Sequence, residues 1–222
     1  MKLIAVIPAY NEESMIEEVI HSVRPHVDEV VVVDDGSQDN TFKHAKKAQA
    51  VVTKHLINRG QGAALQTGMD LALKRGADVI VHFDSDGQHP SHQIADLVQP
   101  VRENQADIVM GSRFLDTTSN VPKTRRVILK LGALFTRVMS GLSITDPHSG
   151  FRALNRKAAT KIRLRQDRMA HASELLQLVS RHELRHKEIP VTIRYTDYSM
   201  AKGQSSWNAI KIVIDLIKGS ML

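Results

Sequence analysis

Short apolar runs alternate with helix-forming stretches through residues 3–110, and this alternation strongly limits how the chain can fold. A continuous apolar run of about four to eight residues is typical of a strand that is buried on both faces. The predicted strands are Leu3–Ile7, Glu29–Val33, Ala50–Thr53, Ala77–Phe83 and Asp107–Met110, and the predicted helices are Glu12–Val23, Asn40–Gln49, Gly62–Arg75 and Ser91–Glu103, the last with Ser91 as its N-cap. This order predicts an α/β fold with a mostly parallel sheet covered by helices on both faces.

Polar, turn-forming residues follow every one of these strands. The carboxyl ends of parallel strands share one edge of a sheet, and ligands of open α/β sheets bind there. The five segments are Pro8–Glu13, Asp34–Ser37, Asn58–Gly62, Asp84–Gln88 and Gly111–Arg113. The third segment contains Gly60-Gln61-Gly62, but Leu65 stands where a dinucleotide-binding motif has its third glycine. We therefore expect a helix start near a ligand site, and no nicotinamide cofactor.

The segment FDSDGQHP, residues 83–90, places two carboxylates directly after the fourth predicted strand. Side chains two residues apart on a strand point to the same side, so Asp84 and Asp86 can face one ligand. Two close negative charges are unfavourable unless a positive charge lies between them. Mg²⁺ or Mn²⁺ prefers carboxylate and amide oxygens, and Gln88 would supply a third ligand. A solvated Asp-rich turn is the alternative interpretation.

The composition excludes several kinds of chemistry. The chain has 222 residues and no cysteine, so disulfides, thiolate catalysis and Cys-ligated zinc are excluded and a reducing compartment fits. No apolar run reaches the roughly 18 residues that cross a bilayer. Residues 1–8 are typical of a strand rather than a secretion signal. We therefore expect a protein that is soluble or bound to a membrane surface.

Positive charge is concentrated in the second half of the chain. Residues 117–166 hold eleven Lys or Arg residues against one acid, Asp146. This asymmetry indicates an anionic partner such as a phosphorylated substrate, lipid head groups or nucleic acid, with a solvated basic face as the alternative. The elements predicted here are an amphipathic helix at Val127–Val138, a strand at Phe151–Leu154, a helix at Ala172–Leu184, a strand at Ile189–Tyr195 and a closing helix at Ala209–Lys218.

Six motifs, taken in order, resemble family 2 glycosyltransferases of the GT-A type, and most closely the dolichyl- and polyprenyl-phosphate sugar transferases. The motifs are VIPAYNEE, VVVDDGSQDNT, NRGQGAALQTG, FDSDGQHP, GSRF and DPHSGFRALNR, and the similarity covers residues 3–205. The resemblance implies one domain, 1–222, with a Rossmann-like sheet. It implies a nucleotide-sugar-binding half at 1–115, and an acceptor half at 116–222 that contains the basic helix and the C-terminal helix. The implied reaction is inverting transfer from a nucleotide-diphosphate sugar.

The resemblance places the donor site in the first half of the chain. The implied donor-binding residues are Pro8, Tyr10, Glu12, Asp35, Asp84, Ser85, Asp86 and Arg113. Asp84, Asp86 and Gln88 would hold Mg²⁺ or Mn²⁺ against the donor phosphates, and Arg113 would bind a phosphate. A cation and an arginine there would stabilise the departing nucleoside diphosphate, which gives Asp86 a catalytic role. The alternatives are a packing role for Tyr10, a turn role for Asp35 and a surface ion pair for Arg113.

The resemblance places the acceptor site in the second half. The implied acceptor-binding residues are Arg125, Arg126, Asp146, Ser149, Arg152 and one late base, either Arg194 or Lys202. A phosphate acceptor is ionised near neutral pH and needs no base, whereas a sugar hydroxyl must give its proton to a carboxylate. Glu174 falls near the position of the catalytic Asp in saccharide-transferring relatives, but Ser173 precedes it where an acid is usual. A phosphate acceptor is therefore favoured, and Glu174 is either catalytic or part of a helix-surface ion pair.

The predicted activity is sugar transfer to polyprenyl (dolichyl or undecaprenyl) phosphate by a cytoplasmic enzyme, peripheral at the inner face of the membrane. The alternative acceptor is a lipid-linked saccharide in cell-surface polysaccharide synthesis. The expected partners are a nucleotide-diphosphate sugar, one of these acceptors and an anionic membrane surface, with a membrane-anchor protein or a second copy of the chain as further candidates. No nucleic acid is expected, because aromatic residues make up only 4% of the chain.

Two other enzyme classes fit the sequence less well. A nucleotidyltransferase usually has glycines and a basic residue after the first strand, and residues 8–12 contain neither. Glycoside hydrolysis needs two carboxyl groups on either side of a sugar, roughly 5–10 Å apart. Asp84 and Asp86 instead share one strand end.

Overall fold

A seven-stranded sheet organises the described part of the chain, residues 1–115, 141–168 and 170–194, in the computed structural model. The strands are β1 Leu3–Ala9, β2 Glu29–Asp34, β3 Val51–Lys54, β4 Val79–His82, β5 Ile108–Ser112, β6 Arg152–Asn155 and β7 His186–Pro190. They lie in the order β3-β2-β1-β4-β6-β5-β7. Each overlaps a strand that the sequence predicts, although the ends differ.

Strand β6 runs antiparallel to both of its neighbours, β4 and β5. The remaining pairings, β1 with β2 and β4, β2 with β3, and β5 with β7, are parallel. The prediction of a mostly parallel α/β sheet is therefore confirmed. The insertion of β6 brings residues of the second half of the chain next to β4, and it pairs Arg152 with His82 across the two strands.

Helices cover both faces of the sheet in the described residues. They are α1 Ile16–Val23, α2 Thr41–Lys47, α3 Gln61–Lys74, α4 Ile94–Arg102, α5 Arg156–Lys161 and α6 His171–Arg181. Helices α1, α2 and α4 contribute to one apolar core, and α3, α5 and α6 contribute to the other. Ala5 of β1 belongs to the first core while Ile4 and Val6 belong to the second. Because successive side chains of a strand face opposite sides, a strand covered on both faces is apolar throughout.

Three predicted boundaries differ from the structure for local reasons. Helix α1 begins at Ile16 rather than Glu12, because residues 12–15 form a separate turn, closed by a hydrogen bond of 3.0 Å from the Met15 N–H to the Glu12 carbonyl. Strand β7 ends at Pro190, which lies opposite Ser112, the last residue of its partner β5. The prediction of Ser91 as a side-chain N-cap is wrong, because Ser91 starts a single 3₁₀ turn that leads into α4 without a cap hydrogen bond.

Some predicted elements lie outside the described residues. These are the helices Val127–Val138 and Ala209–Lys218 and the last residue of the strand Ile189–Tyr195. Among the residues that the structure describes, no helix is both long enough and apolar enough to span a membrane.

Asp107 ties the start of β5 to two neighbouring segments. Its Oδ1 accepts hydrogen bonds from Asn155 Nδ2 at 2.9 Å and Arg185 Nη2 at 3.1 Å, and its Oδ2 accepts one from Lys157 Nζ at 3.2 Å. The Asp107 side chain is 1% exposed. Burial raises the pKa of Asp107, but the hydrogen bonds from Arg185, Asn155 and Lys157 outweigh burial and hold the pKa well below its usual range. The ionised carboxylate therefore stabilises the folded state.

Asp107→Asn is expected to lower the free energy of unfolding by about 1–3 kcal/mol near neutral pH, because it removes a charged acceptor from a buried cluster. The lowered pKa means that this stabilisation is present above the unfolded-state pKa of about 3.9 and is lost as the pH falls towards the folded-state value. Urea unfolding at neutral and at acid pH measures the effect, with Asp96→Asn on the exposed side of α4 as the control. A difference between wild type and variant that does not narrow in acid would contradict the prediction.

Candidate active site

Asp84 lies in the loop that leaves β4 at the carboxyl edge of the sheet, and two side chains orient its carboxylate. Oδ1 accepts a hydrogen bond from Gln61 Nε2 at 3.0 Å, and Oδ2 lies 3.1 Å from His89 Nε2. Gln61 is the first residue of α3. The His89 ring is stacked on Phe151, with 5.0 Å between the ring centres. The Asp84 carboxylate is therefore fixed by residues that are distant from each other in the sequence.

Asp86 lies in a region of concentrated negative charge. Its Oδ1 accepts a hydrogen bond from the Gln88 backbone N–H at 3.0 Å. Burial, together with the negative charges of Asp84 and Glu12, raises the pKa of Asp86 to about 6. Burial also raises the pKa of Asp84, but its hydrogen bond with His89 and nearby positive charges hold it below its usual value. A cation between the two acids would relieve this repulsion.

The donor atoms of this loop suit a hard divalent cation. Asp84, Asp86 and the amide of Gln88 supply oxygen ligands of the kind that Mg²⁺ and Mn²⁺ prefer. Within residues 1–115, 141–168 and 170–194, no cluster of three or more His, Cys, Asp or Glu side chains forms a complete metal cage. A Mg²⁺-type ion that keeps water and substrate phosphates in its shell needs only one or two carboxylates. The ligand set and the raised pKa of Asp86 thus fit such an ion.

The backbone at Gly150 lies against the Asp84 carboxylate. A Cβ added to Gly150 would lie 2.1 Å from Asp84 Oδ2, so a side chain fits here only if the carboxylate moves. Arg152, in β6, is 2% exposed, and its Nη1 has no hydrogen-bond partner in the part of the chain that the structure describes. Burial lowers the pKa of Arg152 to about 10, although the charges of Asp84 and Asp146 oppose this shift. The predicted contact of Arg152 with an acceptor stays a prediction.

Arg113 and Asp146, predicted for the donor and acceptor sites respectively, form one buried ion pair. Arg113 Nε lies 2.6 Å from Asp146 Oδ2, and the Arg113 backbone N–H donates to the same oxygen at 3.2 Å. The two residues are 8% and 2% exposed. Glu188 of β7 accepts the Asp146 backbone N–H at 3.1 Å. The pair is therefore internal, unlike the surface ion pair considered for Arg113.

Asp35 organises the loop between β3 and α3. Its Oδ1 accepts the Arg59 backbone N–H at 3.0 Å and lies 2.7 Å from His55 Nδ1, while its Oδ2 accepts the Gly60 N–H at 2.6 Å. The Asp35 side chain is 4% exposed. These contacts give Asp35 a structural role at the sheet edge, and its contact with a nucleoside stays a prediction.

The other predicted donor residues lie along the same edge. Pro8 belongs to β1, and Glu12 begins the turn that precedes α1. Tyr10 is 40% exposed, so its ring does not pack in the core. Ser85 is buried. Ser149, predicted for the acceptor site, is also buried, and its hydroxyl has no hydrogen-bond partner among the described residues.

Four further residues were predicted to bind the acceptor, and the structure describes one of them. Arg125, Arg126 and Lys202 lie outside the described residues. Arg194 is exposed, and its backbone N–H donates to the Gln88 carbonyl at 2.9 Å. Arg194 therefore lies beside the acidic loop.

Glu174, the predicted base, is in the first turn of α6. Its carboxylate accepts hydrogen bonds from the backbone N–H groups of Arg165 at 2.9 Å and Gln166 at 2.8 Å. These partners are backbone amides, and not the surface cation that the alternative interpretation supposes.

Several side chains around Asp84 were missed by the sequence analysis, namely Gln61, His82, His89 and His171. Burial, together with the charge of Arg152, lowers the pKa of His82 to about 3 and that of His171 to about 4. Both imidazoles are therefore neutral near pH 7. His89 and Gln61 had a signal in the sequence, because His89 belongs to the same motif as Asp84 and Gln61 belongs to the polar segment after the third strand.

Comparisons with known proteins agree with the fold. Residues 4–163 match the profile described as Glycosyl transferase family 2. The chain is 40% identical over 222 residues to an uncharacterized protein of Methanocaldococcus jannaschii, covering 97% of this chain and 91% of that protein. It is 36% identical over 236 residues to the UDP-N-acetylglucosamine–dolichyl-phosphate N-acetylglucosaminyltransferase of Methanococcus voltae, covering 96% and 93%.

A solved structure shares the fold. Glucosyl-3-phosphoglycerate synthase of Mycobacterium tuberculosis, crystallised with Mn²⁺ and UDP-glucose, aligns with a TM-score of 0.74 at 22% identity, over 98% of this chain and 78% of that one. The sheet has the GT-A fold of glycosyltransferases. The chain belongs to glycosyl transferase family 2, as its motifs indicate.

Gly150→Ala is expected to lower kcat/KM for sugar transfer by about 100-fold, because displacing a site carboxylate by about 1 Å is enough for a loss of this size. Steady-state kinetics with the nucleotide sugar that the wild-type protein uses would measure it. The control is Gly76→Ala, which adds a Cβ with no atom within 4 Å but strains a φ of +87°. Gly76→Ala should lose stability and keep its activity, and a Gly150→Ala variant with wild-type kinetics would refute the role of this contact.

Proposed function

We propose that this glycosyltransferase moves a sugar, with inversion, from a nucleotide-diphosphate sugar to a polyprenyl phosphate, and that it depends on a divalent metal. The observation on which the proposal rests is the acid pair Asp84 and Asp86, close together at the sheet edge with the pKa of Asp86 raised to about 6. A divalent cation balances the charge of this pair, and its remaining coordination positions can take the phosphates of the donor. The Methanococcus voltae relative is named for UDP-N-acetylglucosamine and dolichyl phosphate, and the neighbour of known structure holds Mn²⁺ with UDP-glucose, which supports these substrate classes.

Asp84, Asp86 and Gln88 would hold the Mg²⁺ or Mn²⁺. When bound, the ion would supply positive charge that stabilises the leaving nucleoside diphosphate. Gln61 and His89 orient the Asp84 carboxylate before any ligand arrives. The repulsion between the two acids, which raises the pKa of Asp86, makes the site favour a cation.

Arg113 supplies a second positive charge to the leaving group in this proposal. Asp146 fixes its Nε at 2.6 Å, so the direction of the guanidinium is set in advance. A preorganised charge stabilises developing negative charge more effectively than a mobile one, because nothing has to reorient during the reaction. Tyr10, exposed at the end of β1, is assigned to the nucleoside together with Pro8, Glu12, Asp35 and Ser85.

The acceptor phosphate attacks the anomeric carbon directly. Its oxygen is ionised near neutral pH, so the reaction needs no general base. We assign Arg194 as the late base that reaches the phosphates, because its backbone N–H donates to the Gln88 carbonyl in the acidic loop. The remaining acceptor assignments, to Arg125, Arg126, Asp146, Ser149 and Arg152, follow from the family resemblance.

The division into a donor half, 1–115, and an acceptor half, 116–222, is part of the proposal. Strands β6 and β7 come from the second half and lie in the same sheet as β1–β5, so the two halves share a core. We assign the enzyme to the cytoplasmic face of the membrane. Basic residues near an anionic leaflet contribute roughly 1 kcal/mol each to such binding. A membrane-anchor protein or a second copy of the chain would strengthen it.

An acceptor assay tests the proposed reaction. The purified protein is incubated with Mn²⁺ and a panel of labelled nucleotide sugars, beginning with UDP-N-acetylglucosamine, and with either polyprenyl phosphate or a lipid-linked saccharide. We expect label on polyprenyl phosphate, and no transfer after chelation of the metal. Label on the saccharide alone would overturn the proposed acceptor, and full turnover in excess chelator would overturn the metal dependence.

Asp86→Asn is expected to reduce kcat by at least about 100-fold, because it removes a charge that would hold the cation at the leaving group. The variant should be as stable as the wild type or more stable, since it also removes a like-charge repulsion. Thermal unfolding and initial rates in metal-replete buffer would be compared, with Asp96→Asn as the control. Unchanged turnover would exclude a metal role for Asp86.

A further inference from the structure

A segment of the second half lies across the start of α3. This segment, residues 162–168, is called the strap here. The Asp167 carbonyl accepts the Gly62 N–H at 2.8 Å, and Gln66 Oε1 accepts the Leu164 N–H at 2.7 Å. The first amides of a helix have no partner within the helix, so an external carbonyl satisfies them. The Gly62 amide is therefore bound by the strap.

The strap touches α3 too closely for a side chain to intervene. A Cβ added to Gly62 would lie 2.0 Å from the Gln166 carbonyl oxygen, a separation that only glycine tolerates. Gln61, the residue before Gly62, donates from Nε2 to Asp84 Oδ1 at 3.0 Å. The position of the strap and the direction of the Gln61 amide are therefore linked.

Glu174 binds the strap through its backbone. Oε2 of Glu174 accepts both the Arg165 N–H at 3.0 Å and the Gln166 N–H at 2.8 Å. Hydrogen bonds from backbone amides to a carboxylate are stronger than neutral ones. Glu174 also lies in the first turn of α6, where the helix dipole favours a negative charge. One carboxylate therefore organises the part of the strap that touches Gly62.

We propose that Glu174 is a positioning residue, which orients Asp84 through the strap and Gln61, and is not the general base of the reaction. The inference rests on the proposed function, because an ionised phosphate acceptor needs no base. The path runs from Glu174 to Gln166, from Gln166 across the close contact with Gly62, and from Gln61 to Asp84. It connects the second half of the chain to the acid pair through hydrogen bonds and one backbone contact.

Glu174→Gln separates the two roles. A glutamine with its carbonyl oxygen at the Oε2 position can accept both strap amides, because that oxygen has two lone pairs, but it cannot take up a proton at neutral pH. Its Nε2 takes the place of Oε1 and loses only the second contact of the Arg165 N–H, which lies 2.9 Å from Oε1 in the wild type. A positioning role predicts kcat and a pH profile of kcat/KM close to those of the wild type. A general base would instead lose about 10²- to 10⁴-fold in kcat on this substitution.

In the Glu174→Ala variant, residue 174 can accept neither the Arg165 nor the Gln166 amide, so the strap should be held less firmly. We expect faster amide hydrogen exchange at Gly62 and Gln166, measured in the protein without substrate, and a lower kcat/KM. The matched control is Gln177→Ala, an exposed position of the same helix, which should leave both unchanged.

Two results would overturn the proposal. One is a large loss of kcat in Glu174→Gln with wild-type exchange rates, and the other is a Glu174→Ala variant whose amide exchange or kcat/KM equals that of the Gln177→Ala control. Because exchange is measured without substrate, it is independent of the acceptor. The variants could show the expected amide exchange while the wild-type protein transfers sugar only to a saccharide. That result would support the binding of the strap by Glu174 and refute polyprenyl phosphate as the acceptor.

Discussion

The repulsion between Asp84 and Asp86 is the constraint to which the surrounding structure responds. The Asp84 carboxylate receives hydrogen bonds from Gln61 and His89 and lies against the Gly150 backbone, so its direction is determined by three segments. The charge of Asp86 is offset less, by one backbone hydrogen bond from Gln88. Burial beside a second acid raises the pKa of Asp86 to about 6. Strain of this kind is retained where a ligand relieves it, and here a cation with a diphosphate would do so.

The antiparallel strand β6 explains why residues far apart in the chain meet at this place. Because β6 lies between β4 and β5, Gly150 and Arg152 arrive directly beside the acidic loop that follows β4. The strap also comes from the second half of the chain, and its Asp167 carbonyl accepts a hydrogen bond from the start of α3. The surroundings of the acid pair are thus built in part by the second half of the chain.

Hydrophobic periodicity and turn-forming residues predicted the strands and helices well where the element depends on its own short stretch of sequence. The buried strands follow from continuous apolar runs, and the site edge follows from the polar residues after them. The cap at Ser91 failed because the chain enters α4 through a 3₁₀ turn, which hydrophobic spacing does not reveal. The Arg113–Asp146 pair joins residues assigned separately to donor and acceptor, and no sequence spacing of 33 residues predicts such a contact.

The sequence by itself determined the α/β class, the family and the acid pair at the end of a strand, because these depend on hydrophobic period, motif order and side chains two residues apart. Only the tertiary structure decided which partners those acids have. The contacts of Asp84 with Gln61 and Gly150, and of Glu174 with the strap amides, join positions whose separation along the chain has no period. Such contacts are set by strand order and by the close approach of backbones at glycine, and both exist only once the sheet has formed.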